Sequence, residues 1–235
     1  MKSMVIIPAF NEAERIGAVI ERARQRLPDF EIVIVDDGSS DATAAVARAA
    51  GGRVLRHPFN LGYGSALQTG YKFAFRSGAE LVVQMDADGQ HDPGDATLLA
   101  APVAAGELDL VIGSRFLGVG NYQMDPLRKA GRTLFQAILR LFDLRVTDPT
   151  SGFQALSRRV LELYVGDEFP TDYPDVDVLL IAHRHGLRIG ERPVRMAASS
   201  RASLLHSGFA PVYYVYKMLL SIWAASAHTR GRDGK

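Results

Sequence analysis

Leu81-Val82-Val83-Gln84-Met85-Asp86-Ala87-Asp88-Gly89-Gln90-His91-Asp92-Pro93 is the stretch of this chain that decides its fold. The first five residues are apolar apart from Gln84, which is the pattern of a strand buried on both faces. The strand ends in two carboxylates, Asp86 and Asp88, separated by one residue. Ligands of open α/β sheets bind in the crevice beyond the carboxyl ends of the strands. The sequence therefore predicts that both acids lie at the edge of such a crevice.

A pair of acids at this position is suited to a hard divalent cation. Mg²⁺ and Mn²⁺ take oxygen ligands, commonly one or two carboxylates together with substrate phosphates. Gln90 could add a carbonyl oxygen or orient a bound water. The alternative is an ordinary loop from strand to helix, in which Asp92 or Asp95 caps the next helix. Because Asp-x-Asp is a weak motif by itself, the rest of the chain has to decide between the two interpretations.

The flanking sequence alternates between apolar strands and stretches with helical spacing. This alternation predicts an α/β fold with a mostly parallel sheet. The other predicted strands are Met4–Pro8, Glu31–Val35, Arg53–Leu55, Asp109–Arg115 and Leu187–Val194, and Asp148–Ala155 is predicted to be a turn that leads into a further strand.

The loops after the first two strands also carry polar residues. Asp36 and Asp37 follow the second strand, and Asp37 could accept a hydrogen bond from the imide or ribose of a nucleotide. Asp41 or Ser39 is expected to cap the following helix, which does not require both members of the pair. Asn11 is predicted to cap the first helix of the chain.

Arginines in the second half of the chain suggest an anion site. Arg115 lies at the end of a predicted strand, where it could meet a phosphate or a carboxylate. Arg128 and Arg132 lie four residues apart at the start of a predicted helix, where positive charge opposes the helix dipole. A bound anion would explain these cations, and the alternative is a solvated helix face.

Composition excludes several functional classes. The 235 residues carry a formal net charge of +1 and no cysteine, which argues against general nucleic-acid affinity, disulfides and thiolate zinc sites. The N-terminus lacks the long apolar segment of a signal peptide, so we expect a cytoplasmic protein. The apolar stretch from Phe209 to Ala227 predicts a helix that packs on the domain, lies on a membrane surface or spans it.

Taken together, the motifs resemble those of the inverting family 2 glycosyltransferases with the GT-A fold, and most closely the polyprenyl-phosphate hexosyltransferase branch that includes dolichyl-phosphate mannose synthase. The resemblance extends over about residues 4 to 205, and its pieces fall in the order of the family. The matching segments are Ile7–Glu12, Val35–Asp41, Asn60–Gly64, Met85–His91, Gly113–Phe116 and Asp148–Phe153.

The resemblance implies a role for each matching site residue. A nucleotide-sugar pocket for UDP-, GDP- or dTDP-hexose is implied for Pro8, Ala9, Asn11, Glu12, Asp37 and Asp86. A site for Mg²⁺ or Mn²⁺ is implied for Asp86, Asp88 and Gln90. Contacts to the phosphate of a lipid-phosphate acceptor are implied for Arg128, Arg132, Ser151, Arg201 and Ser203.

The resemblance also implies a division of the chain. Residues 1–205 would form the catalytic GT-A domain, residues 206–228 an apolar helix that packs on the domain or contacts the cytoplasmic face of a membrane, and residues 229–235 a basic tail.

The expected reaction is a single displacement with inversion at the anomeric carbon, in which the metal held by Asp88 and the guanidinium of Arg115 stabilise the departing nucleoside diphosphate. A phosphate acceptor is already ionised at neutral pH and needs no base. A sugar hydroxyl would need one, for which Asp177 or Asp175 is the candidate, although either could simply cap a helix. Two alternatives therefore stay open: a soluble enzyme that glycosylates a sugar or polysaccharide hydroxyl, and a catalytically idle nucleotide-sugar binding module.

Overall fold

The computed structural model describes residues 1–118, 126–170 and 174–196. The described residues contain seven strands and seven helices. The strands are β1 (Ser3–Ala9), β2 (Phe30–Asp36), β3 (Arg53–Arg56), β4 (Leu81–Gln84), β5 (Leu110–Ser114), β6 (Gln154–Ser157) and β7 (Ile189–Pro193). The helices are α1 (Ile16–Arg26), α2 (Thr43–Ala49), α3 (Tyr63–Arg76), α4 (Ala96–Ala104), α5 (Pro126–Leu141), α6 (Arg158–Tyr164) and α7 (Val176–Arg184).

The strands form a single sheet in the order β3-β2-β1-β4-β6-β5-β7. All neighbouring strands are parallel except β6, which is antiparallel to both β4 and β5. This arrangement confirms the predicted α/β class and mostly parallel sheet. Because β6 runs in the opposite direction, the loop before it reaches the edge at which the parallel strands end.

Alternation along the strands produces an apolar core on each face of the sheet. In β1, Met4 and Ile6 join the cluster under α3, α5, α6 and α7, whereas Val5 and Ile7 join the cluster under α1 and α4. A side-chain period of two sends successive residues to opposite faces, and both faces are covered by helices. The central strands β1 and β4 therefore carry apolar residues on both faces, with Gln84 as the polar exception in β4, as the sequence indicated.

The start of α1 differs from the prediction. Asn11 has a φ of +54° and lies outside the helix, which begins at Ile16 without a side-chain cap. The side-chain oxygen of Asn11 instead accepts hydrogen bonds from the backbone nitrogen and hydroxyl of Ser40, at 2.9 and 3.3 Å. The prediction that Asn11 caps the helix was wrong because the side chain binds the loop after β2, which lies alongside it.

Some predicted features lie outside the described residues. These are Arg201, Ser203, the apolar segment 206–228 and the tail 229–235, and the side chain of Arg128 is not described either. Among the helices that the structure describes, none has the length and apolarity needed to cross a membrane.

Candidate active site

The two acids of the opening stretch lie at the carboxyl edge of the sheet, just beyond the end of β4. The loop of residues 148–153 enters β6 at this edge, since Gln154 is paired with both Gln84 and Ile112. The sheet therefore brings together the ends of β4 and β5 and the start of β6, as expected for a ligand crevice in an open α/β sheet.

Asp86 is closely surrounded by side chains from other segments. Its Oδ1 accepts a hydrogen bond from the Tyr63 hydroxyl at 2.9 Å. The Nε2 of His91 lies 3.6 Å from its Oδ2. A Cβ atom on Gly152 would lie 3.0 Å from the Tyr63 hydroxyl and 3.1 Å from Asp86 Oδ2, so the loop before β6 passes close to this carboxylate and a larger residue would require these side chains to shift.

Asp88 is the second acid of the pair and is half-buried. Its Oδ1 accepts the backbone N–H of Gln90 at 2.9 Å. Burial raises the pKa of Asp88, and the charges of Asp86 and Glu12 add to the increase, although the hydrogen bond from Gln90 opposes it. Two negative charges held together in this way favour a cation.

The residues at this edge fit a divalent metal that shares its coordination with a ligand. Within the described ranges, no group of three or more acid, histidine or cysteine side chains is arranged to hold a metal ion without help. Mg²⁺ is commonly held by one or two carboxylates and by substrate phosphates, and Asp86 and Asp88 provide such a pair. The assignment of Asp86, Asp88 and Gln90 to a metal stays a prediction.

His91 is a buried member of the site to which the sequence reasoning gave no role. Its Nδ1 accepts the backbone N–H of Asp86 at 3.0 Å, and its ring stacks on Phe153 with centroids 4.7 Å apart. Burial lowers the pKa of His91 despite the neighbouring charges of Asp86 and Asp88, so the ring is neutral with its proton on Nε2. This nitrogen is buried and has no hydrogen-bond partner among the described residues. The sequence pattern did not indicate that the side chain of His91 would contact the backbone of Asp86.

Asp37 holds a loop of the protein. Its Oδ1 accepts the N–H of Leu61 at 2.8 Å and contacts His57 Nδ1 at 2.7 Å, while its Oδ2 accepts the N–H of Gly62 at 2.9 Å. The side chain is buried, and Thr69 contacts the other nitrogen of His57 at 2.9 Å. The carboxylate therefore fixes the loop before α3, and contact with a nucleotide stays a prediction.

The remaining nucleotide-site candidates lie along the end of β1. Pro8 and Ala9 belong to β1, and the carbonyl of Ala9 accepts the N–H of Asp37 at 2.9 Å. Glu12 pairs with Arg15 at 2.9 Å, and its charge contributes to the raised pKa of Asp88. The structure thus places these residues, with Asn11 between them, at the same edge as the two acids.

Arg115 is held by a buried acid. Its Nε and Nη2 donate to the two oxygens of Asp148 at 2.7 and 2.6 Å, and its backbone N–H donates to Asp148 Oδ2 at 3.0 Å. Asp148 is completely buried, and its backbone N–H donates to Glu191 at 3.0 Å. The main role of Arg115 that the structure defines is therefore to compensate a buried carboxylate, and its action on a leaving group stays a prediction.

Arg132 is one of the residues predicted to contact the phosphate of the acceptor, and it packs against an aromatic ring. Its guanidinium lies over the ring of Phe116 at 3.8 Å, and the guanidinium of Arg115 lies 5.6 Å from the same ring. The Nε of Arg132 is buried without a hydrogen-bond partner in the part of the chain that the structure describes. By contrast, the buried hydroxyl of Ser151 donates to the carbonyl of Gly113 at 2.6 Å, so it supports the backbone.

The two base candidates occupy different surroundings. Asp177 is 1% exposed, and its Oδ1 accepts the N–H groups of Asp175 and Val178 at 3.1 and 2.9 Å. Its negative charge acts on the buried hydroxyl of Tyr164, whereas the charge of Asp175 acts on Tyr63, which binds Asp86. Asp177 is therefore the more buried member of the pair and Asp175 the half-buried one, and the role of either as a base stays a prediction.

Comparison with known proteins identifies relatives of the chain. Residues 4–164 match the family model described as Glycosyl transferase family 2. The polyprenol monophosphomannose synthase of Mycolicibacterium smegmatis is 34% identical over 169 residues, which cover 68% of this chain and 63% of that protein. A UDP-N-acetylglucosamine–dolichyl-phosphate N-acetylglucosaminyltransferase of Methanococcus voltae is 31% identical over 211 residues, covering 81% of this chain and 84% of that protein.

A solved structure shares the fold. Glucosyl-3-phosphoglycerate synthase from Mycobacterium tuberculosis, crystallised with Mn²⁺, uridine diphosphate and phosphoglyceric acid, matches with a TM-score of 0.74 and 25% identity. The match covers 94% of this chain and 78% of that one.

Proposed function

The chain belongs to glycosyl transferase family 2 and is a glycosyltransferase, and from this premise we propose that it moves a hexose from a nucleoside-diphosphate sugar to a polyprenyl phosphate. Two relatives with 31–34% identity are named for transfer to polyprenol or dolichyl phosphate. One is named for mannose and the other for N-acetylglucosamine, so the proposal specifies the acceptor class and leaves the sugar open.

The observation that carries the acceptor assignment is the environment of Arg132. A guanidinium with a buried Nε–H that lacks a partner among the described residues, beside a second guanidinium on the same aromatic ring, favours binding of an anion. An ionised phosphate monoester satisfies such donors and attacks without loss of a proton. Arg128, Arg201 and Ser203 are proposed to complete the phosphate contacts.

At the donor end, we assign the diphosphate to Asp86 and Asp88 through a divalent cation, Mg²⁺ or Mn²⁺. The cation would supply charge stabilisation to the leaving diphosphate. The solved relative was crystallised with Mn²⁺ and uridine diphosphate, which supports this choice. Asp86 and Asp88 would bind the cation, and the segments ending β1 and β2 would bind the nucleoside.

The proposal is tested by nucleotide release from a panel of sugar nucleotides with Mn²⁺ or Mg²⁺, with and without a short-chain polyprenyl phosphate. We expect one donor to release nucleotide faster in the presence of the lipid phosphate. Arg132→Ala should lose this stimulation while retaining slow donor hydrolysis. Arg53→Ala is the control, because Arg53 lies on β3 and pairs with Glu31.

Two results would contradict the proposal. Stimulation by a sugar, or by phosphoglyceric acid, in place of the lipid phosphate would indicate a soluble acceptor. In the case of a sugar hydroxyl, Asp175→Asn should then lower the rate on the neutral plateau and abolish the fall in rate on the acidic limb of the pH profile, because a general base acts only when it is ionised. Tight nucleotide binding without turnover on any donor would indicate a binding module.

Contact with a membrane through residues 206–228 forms a separate part of the proposal. Sedimentation of the full chain with vesicles containing anionic lipid should recover the protein in the pellet, whereas the chain with Leu219→Asp and Leu220→Asp should stay in the supernatant.

A further inference from the structure

Gln84 is the single polar residue in the apolar run that leads to Asp86, and it is 3% exposed. A buried amide without hydrogen-bond partners destabilises a fold, so the place of Gln84 in a central strand calls for an explanation. The structure shows that both the carbonyl and the NH₂ group of this amide have a hydrogen-bond partner. Its Oε1 accepts the hydroxyl proton of Tyr71, and its Nε2 donates to the hydroxyl oxygen of Tyr63 at 3.1 Å.

These contacts form one hydrogen-bonded chain that ends on Asp86. The Tyr63 hydroxyl donates to Asp86 Oδ1 at 2.9 Å. An ionised carboxylate only accepts, so the single hydroxyl proton of Tyr63 must point to Asp86. The oxygen of Tyr63 is then an acceptor, which requires the NH₂ group of Gln84 on that side and leaves its carbonyl for Tyr71. A single orientation of all three donors satisfies the chain.

The other side of the Asp86 carboxylate is also approached by a donor. His91 accepts the backbone N–H of Asp86 through Nδ1 at 3.0 Å, so its proton lies on Nε2, 3.6 Å from Oδ2. Gly152 leaves just enough room, because an added Cβ would lie 3.2 Å from Oδ1. Asp86 therefore lies between Tyr63 and His91, in a space that its neighbours restrict.

The segment that precedes Tyr63 is itself hydrogen-bonded to Asp37, the acid that follows β2. Asp37 accepts the N–H groups of Leu61 and Gly62, at 2.8 and 2.9 Å, immediately before Tyr63 begins α3. One short segment thus bonds to both Asp37 and Asp86, which lie just beyond the ends of β2 and β4. This segment therefore fixes the position of Asp37 relative to Asp86.

We propose that Tyr63, oriented by Gln84 and Tyr71, is a positioning residue that holds the carboxylate of Asp86 ready for the cation and the donor diphosphate. The step from carboxylate geometry to ligand binding rests on the proposed function. Groups that orient a ligating carboxylate typically change metal affinity by about 10- to 100-fold when they are removed.

The test compares Tyr63→Phe and Tyr71→Phe with Tyr164→Phe as the matched control. Tyr164 is a buried tyrosine in the same aromatic cluster, 5.8 Å from Tyr71 between ring centroids, but its hydroxyl donates to the carbonyl of Val178 at 3.3 Å. Each of the three variants loses one tyrosine hydroxyl that donates a hydrogen bond within the protein, so a loss of stability alone should affect them alike. Only the first two alter the chain that leads to Asp86.

Two readouts are measured. The first is the side-chain conformation of Asp86 in crystal structures of the ligand-free variants. The second is the affinity for Mn²⁺ in the presence of UDP or GDP, by titration calorimetry. Tyr63→Phe should release Asp86 from its wild-type conformation and weaken affinity by about tenfold. Tyr71→Phe should have the same effect to a smaller degree, and Tyr164→Phe should match the wild type.

An unchanged Asp86 conformation together with wild-type affinity in Tyr63→Phe would overturn the inference, and so would equal losses in Tyr63→Phe and Tyr164→Phe. A reoriented Asp86 in Tyr63→Phe supports the positioning role even if the wild type binds neither nucleotide with Mn²⁺. That combination would count against the proposed function alone, so the two failures are distinguishable. If Tyr63→Phe does not fold, Tyr71→Phe decides between the outcomes by the same criteria.

Discussion

Asp88, a proposed metal ligand, lies in an environment that is unfavourable for the stability of the fold. Burial and the charge of Asp86 raise its pKa, so the ionised side chain is less stable in the folded protein than in the unfolded one. We expect Asp88→Asn to lose metal-dependent turnover and Mn²⁺ binding while its melting temperature stays equal to or above that of the wild type. A melting temperature well below the wild type, or full activity of the variant in EDTA, would contradict this prediction.

Arg115, a predicted catalytic residue, is the opposite case, because the fold itself requires its charge. Its partner Asp148 is 0% exposed and would lose its charged partner in Arg115→Ala. Removing one member of a buried ion pair commonly costs about 3 kcal/mol, because the other charge stays buried. Urea unfolding should show a loss of about this size for Arg115→Ala.

Arg53→Ala is the matched control, since its pair with Glu31 is 2.9 Å long but the Arg53 side chain is 59% exposed. Exposed pairs contribute about 1 kcal/mol or less. Equal losses in the two variants would show that Arg115 is not the main compensation for Asp148.

Helix α3 packs closely against the sheet at a glycine, Gly70. An added Cβ on Gly70 would lie 2.4 Å from Cγ2 of Ile6 in β1, which is completely buried. Alanine gains about 1 kcal/mol over glycine within a helix, but overpacking of a core commonly costs about 1–3 kcal/mol. We expect Gly70→Ala to lower the free energy of unfolding, measured with urea.

Gly131→Ala in α5 is the control for this prediction. No described side chain or backbone atom lies within 4 Å of an added Cβ at that position. We therefore expect a gain of about 1 kcal/mol from helix propensity alone. A gain in both variants would mean that α3 can move away from β1 without cost.

The strands and their ends could be predicted from the sequence. A continuous apolar run indicates a buried strand, and the acids that follow it mark the point where the strand reaches the carboxyl edge of the sheet. The approach of residue 152 to Asp86 could not, since it depends on the reversed direction of β6 between β4 and β5. The role of Arg115 was likewise hidden, because its partner Asp148 lies 33 residues further along the chain. Motifs locate a site residue, but only the packing of distant segments shows which of its groups the protein itself occupies.

For the molecule as a whole, stability in acid is expected to depend on the edge of the sheet opposite the site. Asp109, just before β5, accepts the backbone N–H and the Nε of Arg188 at 3.0 and 2.9 Å, and Nη1 of Arg159 contacts it at 3.2 Å. Burial alone would raise the pKa of Asp109, but the hydrogen bonds from Arg188 and the charge of Arg159 lower it below its usual value. Asp109 thus joins the starts of β5, β7 and α6 through charge.

A lowered pKa in the folded state fixes the sign of the pH dependence. The stabilisation by Asp109 is fully present above the pKa of the unfolded chain, about 3.9, and is lost as the pH falls through the folded value. Urea unfolding of wild type and Asp109→Asn should therefore differ at pH 7, and the difference should shrink below about pH 4. The exposed Asp29→Asn makes the same change of charge outside this cluster and should show no such convergence. A difference between wild type and Asp109→Asn that stays constant down to pH 3 would mean that shape and not charge holds this edge together.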